Sequence, residues 1–360
     1  MRKPAIIVIG SVPAIFPLPP PDTTVKSVYQ LRSFRNTDPP HLAEIWRSQP
    51  PQRGVLQPIS APILEFAVFS KAHFDREGLI IATKDGLPVG FVHAGFGPND
   101  DGTGLDTSMG TTHLLMIRSG YEDEALVDAL LEASEDYLRS AGATVIYAGG
   151  VKPLNSFYLG LYGGSEIPGV LESNRLLRDA CLRRNYSECG QISILQCDLV
   201  RFRLPVSRKV RQLGRQTRFE ETVDPLSCNW WEACVWGSQQ RDRFRLYDKS
   251  SGKVIASASF WDVQPLSACW GICTAGMFDL QVDLGWRRQG CASYLLGEAF
   301  RLLRRRGVAT IEAQTMSTNE AALGLYGSLG FTEVDHGFVF RKNAVQFSNS
   351  PDSMLSSVVG

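Results

Sequence analysis

The sequence predicts an α+β protein of two tandem domains, each a mixed, mostly antiparallel central sheet flanked by helices. Three observations carry that prediction. The chain has 360 residues, enough for two cores at about 150 residues per domain. Sliding it on itself by 165 positions brings two segments together without a gap: Gly120-Tyr121 falls on Gly285-Trp286, Leu130-Leu131 on Leu295-Leu296, Leu138-Arg139 on Leu303-Arg304, Gly142 on Gly307, Ile146 on Ile311 and Ala148 on Ala313. The order of elements is also the same in both segments: strand, loop, amphipathic helix, glycine turn, strand.

From the start of the chain, residues 1–29 read as a disordered extension. Met1-Arg2-Lys3 and the apolar stretch from Ala5 to Phe16 imitate a signal peptide, but Gly10 and Pro13 interrupt it and no small-x-small cleavage site follows. Leu31 to Trp46 reads as a strand and a helix, with Arg218 to Trp236 in roughly the matching place of the second half. Each half then carries a hairpin, Leu79 to His93 around Asp85-Gly86 and Phe244 to Trp261 around Ser251-Gly252, rich in β-branched and aromatic residues. In the long helix of the second half, Leu295, Leu296, Ala299, Phe300, Leu302 and Leu303 share one face, while Ser293, Glu298, Arg301 and Arg305 face out. Gly307, after a cluster of arginines, stops it. The expected division is 30–199, a basic linker at 200–216, a second domain at 217–342 and a Ser-rich disordered tail at 343–360.

Composition excludes several classes. Lys plus Arg and Asp plus Glu are 37 each, so there is no basic footprint for nucleic acid. No apolar run approaches the ~20 residues of a membrane span. None of the eight cysteines precedes Cys181, and none forms a Cys-x-x-Cys pair; with five scattered histidines, this predicts neither a disulfide framework nor a metal site, and suits a reducing cytoplasm.

The chemistry concentrates in Val282-Asp283-Leu284-Gly285-Trp286-Arg287-Arg288-Gln289-Gly290-Cys291-Ala292, a strand end running into a basic, glycine-containing loop that opens a helix. Free N–H groups at a helix start, its dipole of about half a positive charge, and a glycine allowing close approach make a pyrophosphate cradle. Taken alone the string also suits a solvated basic turn. Further on, Asn319-Glu320-Ala321-Ala322-Leu323-Gly324-Leu325-Tyr326-Gly327-Ser328-Leu329-Gly330-Phe331 opens and closes a second helix. The two motifs, in this order and separation, resemble the GNAT superfamily of N-acetyltransferases over about residues 217–342.

That resemblance implies acetyl-CoA as co-substrate, no metal, and an amine acceptor, either a small molecule or a protein N-terminus. It would place Arg287, Arg288, Gln289, Gly290, Cys291 and Ala292 on the CoA pyrophosphate and Asn319 on the CoA arm. Backbone N–H groups of a splayed fourth strand, about Leu280, Gln281 and Val282, would polarise the thioester carbonyl. Tyr326 would protonate the departing thiolate: a phenol of pKa near 10 can donate to a thiolate whose conjugate acid lies near 8.5. Tyr326 also suits a core aromatic on a helix facing the sheet, but Asn319 seven residues before it and Gly330-Phe331 after it favour the acid role. For the general base, Asp279 ranks first and Glu312 second, with Asp283 behind; each also suits a solvated or ion-paired carboxylate.

The gapless alignment puts Glu122, Asp123, Glu124 and Ala125 on Arg287, Arg288, Gln289 and Gly290. Acidic side chains repel a diphosphate, so the first half resembles a degenerate GNAT copy. For its last helix, Asn155 to Gly163 shares the string Leu-Gly-Leu-Tyr-Gly, but Asn174 with Asn185-Tyr186 keeps the spacing of Asn319 and Gly330-Phe331 and is preferred. Gly149 to Ser173 is then an insertion, expected to shape an acceptor pocket or the domain junction. A silent first copy before an active second one is similar in architecture to mycothiol synthase and its relatives, and the second half alone resembles N-terminal amine acetyltransferases of the ribosomal-protein type. The expected activity is N-acetyl transfer by direct attack of the amine, in a monomer or homodimer. The competing reading is a non-catalytic acyl-CoA-binding or interaction module. The linker arginines and Trp230, Trp231 and Trp236 read as a solvated face and as packing residues.

Overall fold

The computed structural model describes residues 28–154, 156–204 and 208–343. In the first half, β1 (Gln30–Ser33) leads through α1 (Pro39–Arg47) and the short α2 (Ala61–Leu64) to β2 (Leu79–Lys84), β3 (Leu87–Pro98) and β4 (Leu105–Ile117). Then come α3 (Glu124–Ser140), β5 (Val145–Ala148), the two-residue β6 (Val170–Leu171), α4 (Arg175–Arg183) and β7 (Ser187–Asp198). After α5 (Arg208–Gln216), the second half repeats the plan with β8 (Thr217–Val223), α6 (Trp230–Trp236), β9 (Arg241–Asp248), β10 (Val254–Asp262), the short α7 (Leu266–Trp270), β11 (Thr274–Val282), α8 (Cys291–Arg305), β12 (Thr310–Met316), α9 (Glu320–Ser328) and β13 (Thr332–Asn343).

Local chemistry explains these boundaries. Asp85 and Gly86 both take positive φ, 51° and 80°, the turn whose twist suits a two-residue hairpin. The paired hairpin of the second half is held by Asp248, whose carboxylate accepts from the hydroxyls of Ser250 and Ser251, each at 2.6 Å. On α8, Leu295, Leu296, Ala299, Phe300 and Leu303 are buried as the apolar period requires. The preferred match for the last helix of the first half is the observed one. Asn174 caps α4 by accepting from the Leu177 N–H, and Asn319 caps α9 by accepting from the Ala322 N–H.

The two halves do not keep separate sheets. One sheet runs in the order β1-β2-β3-β4-β5-β13-β7-β12-β11-β10-β9-β8, with β6 pairing on β13. The last strands are exchanged: β13 lies beside β5, with Phe340 opposite Ala148, while β7 lies beside β12, with Cys197 opposite Ile311. Phe338 and Phe340 therefore pack in the core of the first half beside Leu130 and Leu177. In return Leu195, Cys197 and Leu199 pack in the core of the second half beside Phe300.

The structure adds detail to several sequence expectations. Within the basic stretch at 200–216, Arg208–Gln216 is helical and buries Leu213 against the second core. Residues 1–27 and 344–360, and Asn155, lie outside the described residues. Of the expected extensions, Tyr29 is seated, its hydroxyl donating to Asp123 Oδ2 at 3.0 Å, and Asn343 closes β13 opposite Val145. The segment from 149 to 173 lies between the halves. Phe157, Tyr158, Leu161, Tyr162 and Ile167 are buried in an apolar cluster that also holds Trp46, Trp236 and Trp261 and so spans both halves.

Candidate active site

The second half opens a cleft between two parallel strands. β11 and β12 pair from Thr274 opposite Thr310 to Met277 opposite Ala313 and then part. A bulge drives the separation: the β10–β11 register shifts between Ser257 and Ser259, opposite Asp279, whose φ is +51°. A bulge adds twist and turns its strand aside, which takes Leu280 to Val282 away from β12. The resulting cavity, about 940 Å³, is lined by β10, the end of β11, the loop after it, the start of α8 and one face of α9.

That loop is braced from within. Asp283 accepts from the Gly285 N–H at 3.0 Å, Arg287 Nε donates to the Val282 carbonyl at 3.2 Å, and Gln289 Nε2 donates to the Gly285 carbonyl at 2.8 Å. Arg288 and Gly290 take positive φ, 61° and 89°. Gly290 precedes α8 and no side chain caps that helix, so its first N–H groups keep their donor capacity beside the cavity.

Leu280, Gln281, Val282, Arg287, Arg288, Gly290, Cys291, Ala292 and Asn319 all line this one cavity. Gln289 does not; it lines a separate hollow of about 170 Å³ with Gln212, Leu213 and Gln216. Tyr326 lies beneath α9 in the core, its ring 5.2 Å from that of Phe331, while Leu325 faces the cavity. Burial, with a smaller contribution from the Glu166 charge, pushes the Tyr326 phenol up to about 12.

The two candidate bases are committed elsewhere. Glu312 is fully enclosed. Its carboxylate accepts from the Ser165 N–H at 2.6 Å, from Gln196 Nε2 at 3.0 Å and from Arg53, with which it is ion-paired. Asp279, at the bulge, is ion-paired with Lys152. Arg53, Lys152 and Ser165 all come from the first half, and sequence reasoning selected none of them. The same segment brings Glu166, half-buried, with its carbonyl accepting from Gln314 Nε2 at 2.9 Å. The unusual length of the insertion was the signal that could have found it.

The first half has the same scaffold with its site closed. There α3 begins at Glu124, two residues ahead of the position that the repeat offset equates with the start of α8. Asp123 caps it, accepting from the Ala125 N–H at 3.0 Å, and Glu122 accepts from the Gly120 N–H at 2.7 Å. The chain's own carboxylates thus take one N–H of the helix start and one of the turn before it. Where β4 and β5 part, after Thr112 opposite Ala148, Phe157 packs against His93 and His113 at ring distances of 4.6 and 5.0 Å.

Elsewhere, Glu172, Asp335 and His336 bring ligand-type atoms together at the surface, with a Glu172 carboxylate oxygen 3.3 Å from His336 Nε2. Among the described residues no helix is long and apolar enough to cross a membrane.

Comparison with known proteins agrees with this geometry. The model of the acetyltransferase (GNAT) family matches residues 211–331, from α5 to the start of β13. The [ribosomal protein bS18]-alanine N-acetyltransferase of Escherichia coli (strain K12) is 30% identical over 103 residues, 29% of this chain; the chain spans 65% of that relative's length. A GCN5-related glucosamine N-acetyltransferase region of a fungal multi-domain GH3 β-N-acetylglucosaminidase superposes with a TM-score of 0.66 at 16% identity, covering 89% of this chain and 39% of that one. A tandem GNAT protein from the clavulanic acid biosynthesis pathway superposes with a TM-score of 0.60 at 11% identity, over 88% of this chain and 99% of that one. Residues 211–331 thus carry the signature of the GNAT acetyltransferase family, and the two halves together have the fold of a tandem GNAT protein.

Proposed function

We propose that the protein is an acetyl-CoA-dependent N-acetyltransferase with one working site, in the second half, which moves the acetyl group to an amine by direct attack. The observation that carries this reading is the contrast between the uncapped, glycine-led start of α8, opening on a large cleft, and the acid-capped start of α3. Arg287, Arg288 and the N–H groups that follow Gly290 suit a diphosphate. The cavity between α8 and β10 has room for the rest of a nucleotide-linked arm, and Asn319 and Ala322 border it on the α9 side. Backbone N–H groups on the diverging end of β11, about Leu280 to Val282, donate to the thioester oxygen as charge develops there. Tyr326 supplies a proton to the leaving sulfur; a phenol raised to about 12 stays protonated until a thiolate forms beside it. Gln289 supports the loop by its bond to Gly285 rather than by touching the donor.

The E. coli relative's name gives alanine of ribosomal protein bS18 as its acceptor, so a short peptide with a free N-terminal alanine is the first acceptor to test. A calorimetric titration with acetyl-CoA tests the donor. One site per chain is expected, lost in the double variant Arg287→Glu, Gly290→Glu; two sites would revive the first copy, and none would leave a scaffold without a donor.

A further inference from the structure

We infer that Glu166, carried by the insertion of the first half, is the general base of the second half's site, so that the silent copy lends a catalytic group to the working one. The inference rests on the acetyltransferase reading above, and it begins with position. Gly276 on β11 and Glu312 on β12 are register partners one residue before the strands part. Ser165 sits over both: a Cβ on Gly276 would meet the Ser165 Cβ at 2.4 Å, and the Ser165 N–H donates to Glu312. Trp261 Nε1 fixes the Ser165 carbonyl at 3.1 Å. Glu166 follows, its carbonyl tied to Gln314, the first β12 residue beyond the last pair. Its backbone is therefore fixed against β12 at the point where β12 and β11 part, outside the lining of the cavity itself.

Its neighbours define its chemistry. Four groups couple to its charge: Lys152 on the same insertion, Asp279 on β11, Glu312 on β12 and Tyr326 on α9. Of the three carboxylates, Glu312 is enclosed and saturated with donors, and Asp279 is held by Lys152; Glu166 alone carries no side-chain hydrogen bond or ion pair among the described residues, and it is partly exposed. Burial raises its carboxyl to about 7, opposed by Lys152 and reinforced by Asp279 and Glu312. A base poised there holds a proton below that pH and accepts one above it.

The step balances. The amine nitrogen attacks the thioester carbonyl carbon, and the C–N bond forms as the C–S bond breaks. The proton lost by nitrogen goes to the Glu166 carboxylate, sulfur takes the Tyr326 proton, and transfer from Glu166 to the phenolate restores both groups.

The test uses the full chain. With glutamate labelled at the side-chain carboxyl carbon, one resonance should titrate near pH 7 and be absent in Glu166→Gln; a Glu166 midpoint in the ordinary carboxylate range overturns the inference. Lys152→Met should move that midpoint upward, because the cation favours the ionised form. Glu166→Gln should bind acetyl-CoA as the wild type does, transfer to an N-terminal alanyl peptide about 100-fold more slowly, and lose the rise in rate through pH 7. Wild-type transfer with an intact pH limb in Glu166→Gln overturns the base alone. Failure of the wild-type protein to bind acetyl-CoA overturns the acetyltransferase reading beneath it.

Discussion

At the scale of single residues, the proposed mechanism separates groups assigned to chemistry from groups that hold the walls. Tyr326 is buried with its hydroxyl near an acidic neighbour, so its replacement by phenylalanine keeps the ring packing on Phe331 and removes only the proton. Tyr326→Phe should leave acetyl-CoA affinity within about twofold and lower turnover by roughly 100-fold, the range of a lost general acid. Steady-state kinetics read beside calorimetry check this, and equal turnover would remove the acid role. Glu312 has the converse position. Its carboxylate binds Ser165, Gln196 and Arg53, and so anchors the insertion to β12.

Among elements, the helix starts carry the difference between the halves. Asn174 and Asn319 make the same capping bond to α4 and α9, at 3.3 and 3.2 Å, and replacing either with alanine should cost about 1 kcal/mol of stability. Only Asn319 borders the large cavity, so thermal denaturation should fall alike in both variants while acetyl-CoA affinity falls in Asn319→Ala alone. The hairpins, α8 and both Asn caps were legible in the sequence because local rules decide them: a glycine at positive φ, an apolar period, a polar residue before a helix. The bulge at Asp279 and the plug made by Phe157 were not, because a register shift and a ring contact depend on neighbours distant along the chain. Glu166 was missed for the same reason, since nothing in Ser165-Glu166-Ile167 states that it meets β12. Even the inserted segment, expected at an acceptor pocket or the junction, does two tasks that its composition does not announce: it packs Phe157 where β4 and β5 part, and it ties to Asp279, Glu312 and Gln314 of the second half.

For the whole molecule, the exchange of β7 and β13 makes the halves mutually dependent. The tandem repeat was readable, but the exchange was not, since β7 and β13 occupy equivalent places in the repeat and nothing local in either strand states which core its side chains complement. Phe338, Val339 and Phe340 of β13 are buried, and full burial of such side chains contributes about 1.5–3 kcal/mol each. A chain ending at residue 331 should therefore lose the fold of its first half, and residues 217–343 alone should expose the edge of β12 that β7 covers and aggregate. Soluble yield and far-ultraviolet circular dichroism of the two fragments, alone and mixed, check this; a folded monomer of either would contradict it.

The exchange also sets a timetable for synthesis. Val145 pairs with Asn343, so a first half that has long left the ribosome cannot seal its core until the last strand follows. At about 5–20 residues per second, it waits on the order of ten seconds or more with the edge of β5 open, and pairings so distant along the chain are slow to form. Translation rate, and the chaperones that shield open sheet edges, should thus govern the yield of active protein more than its final stability does.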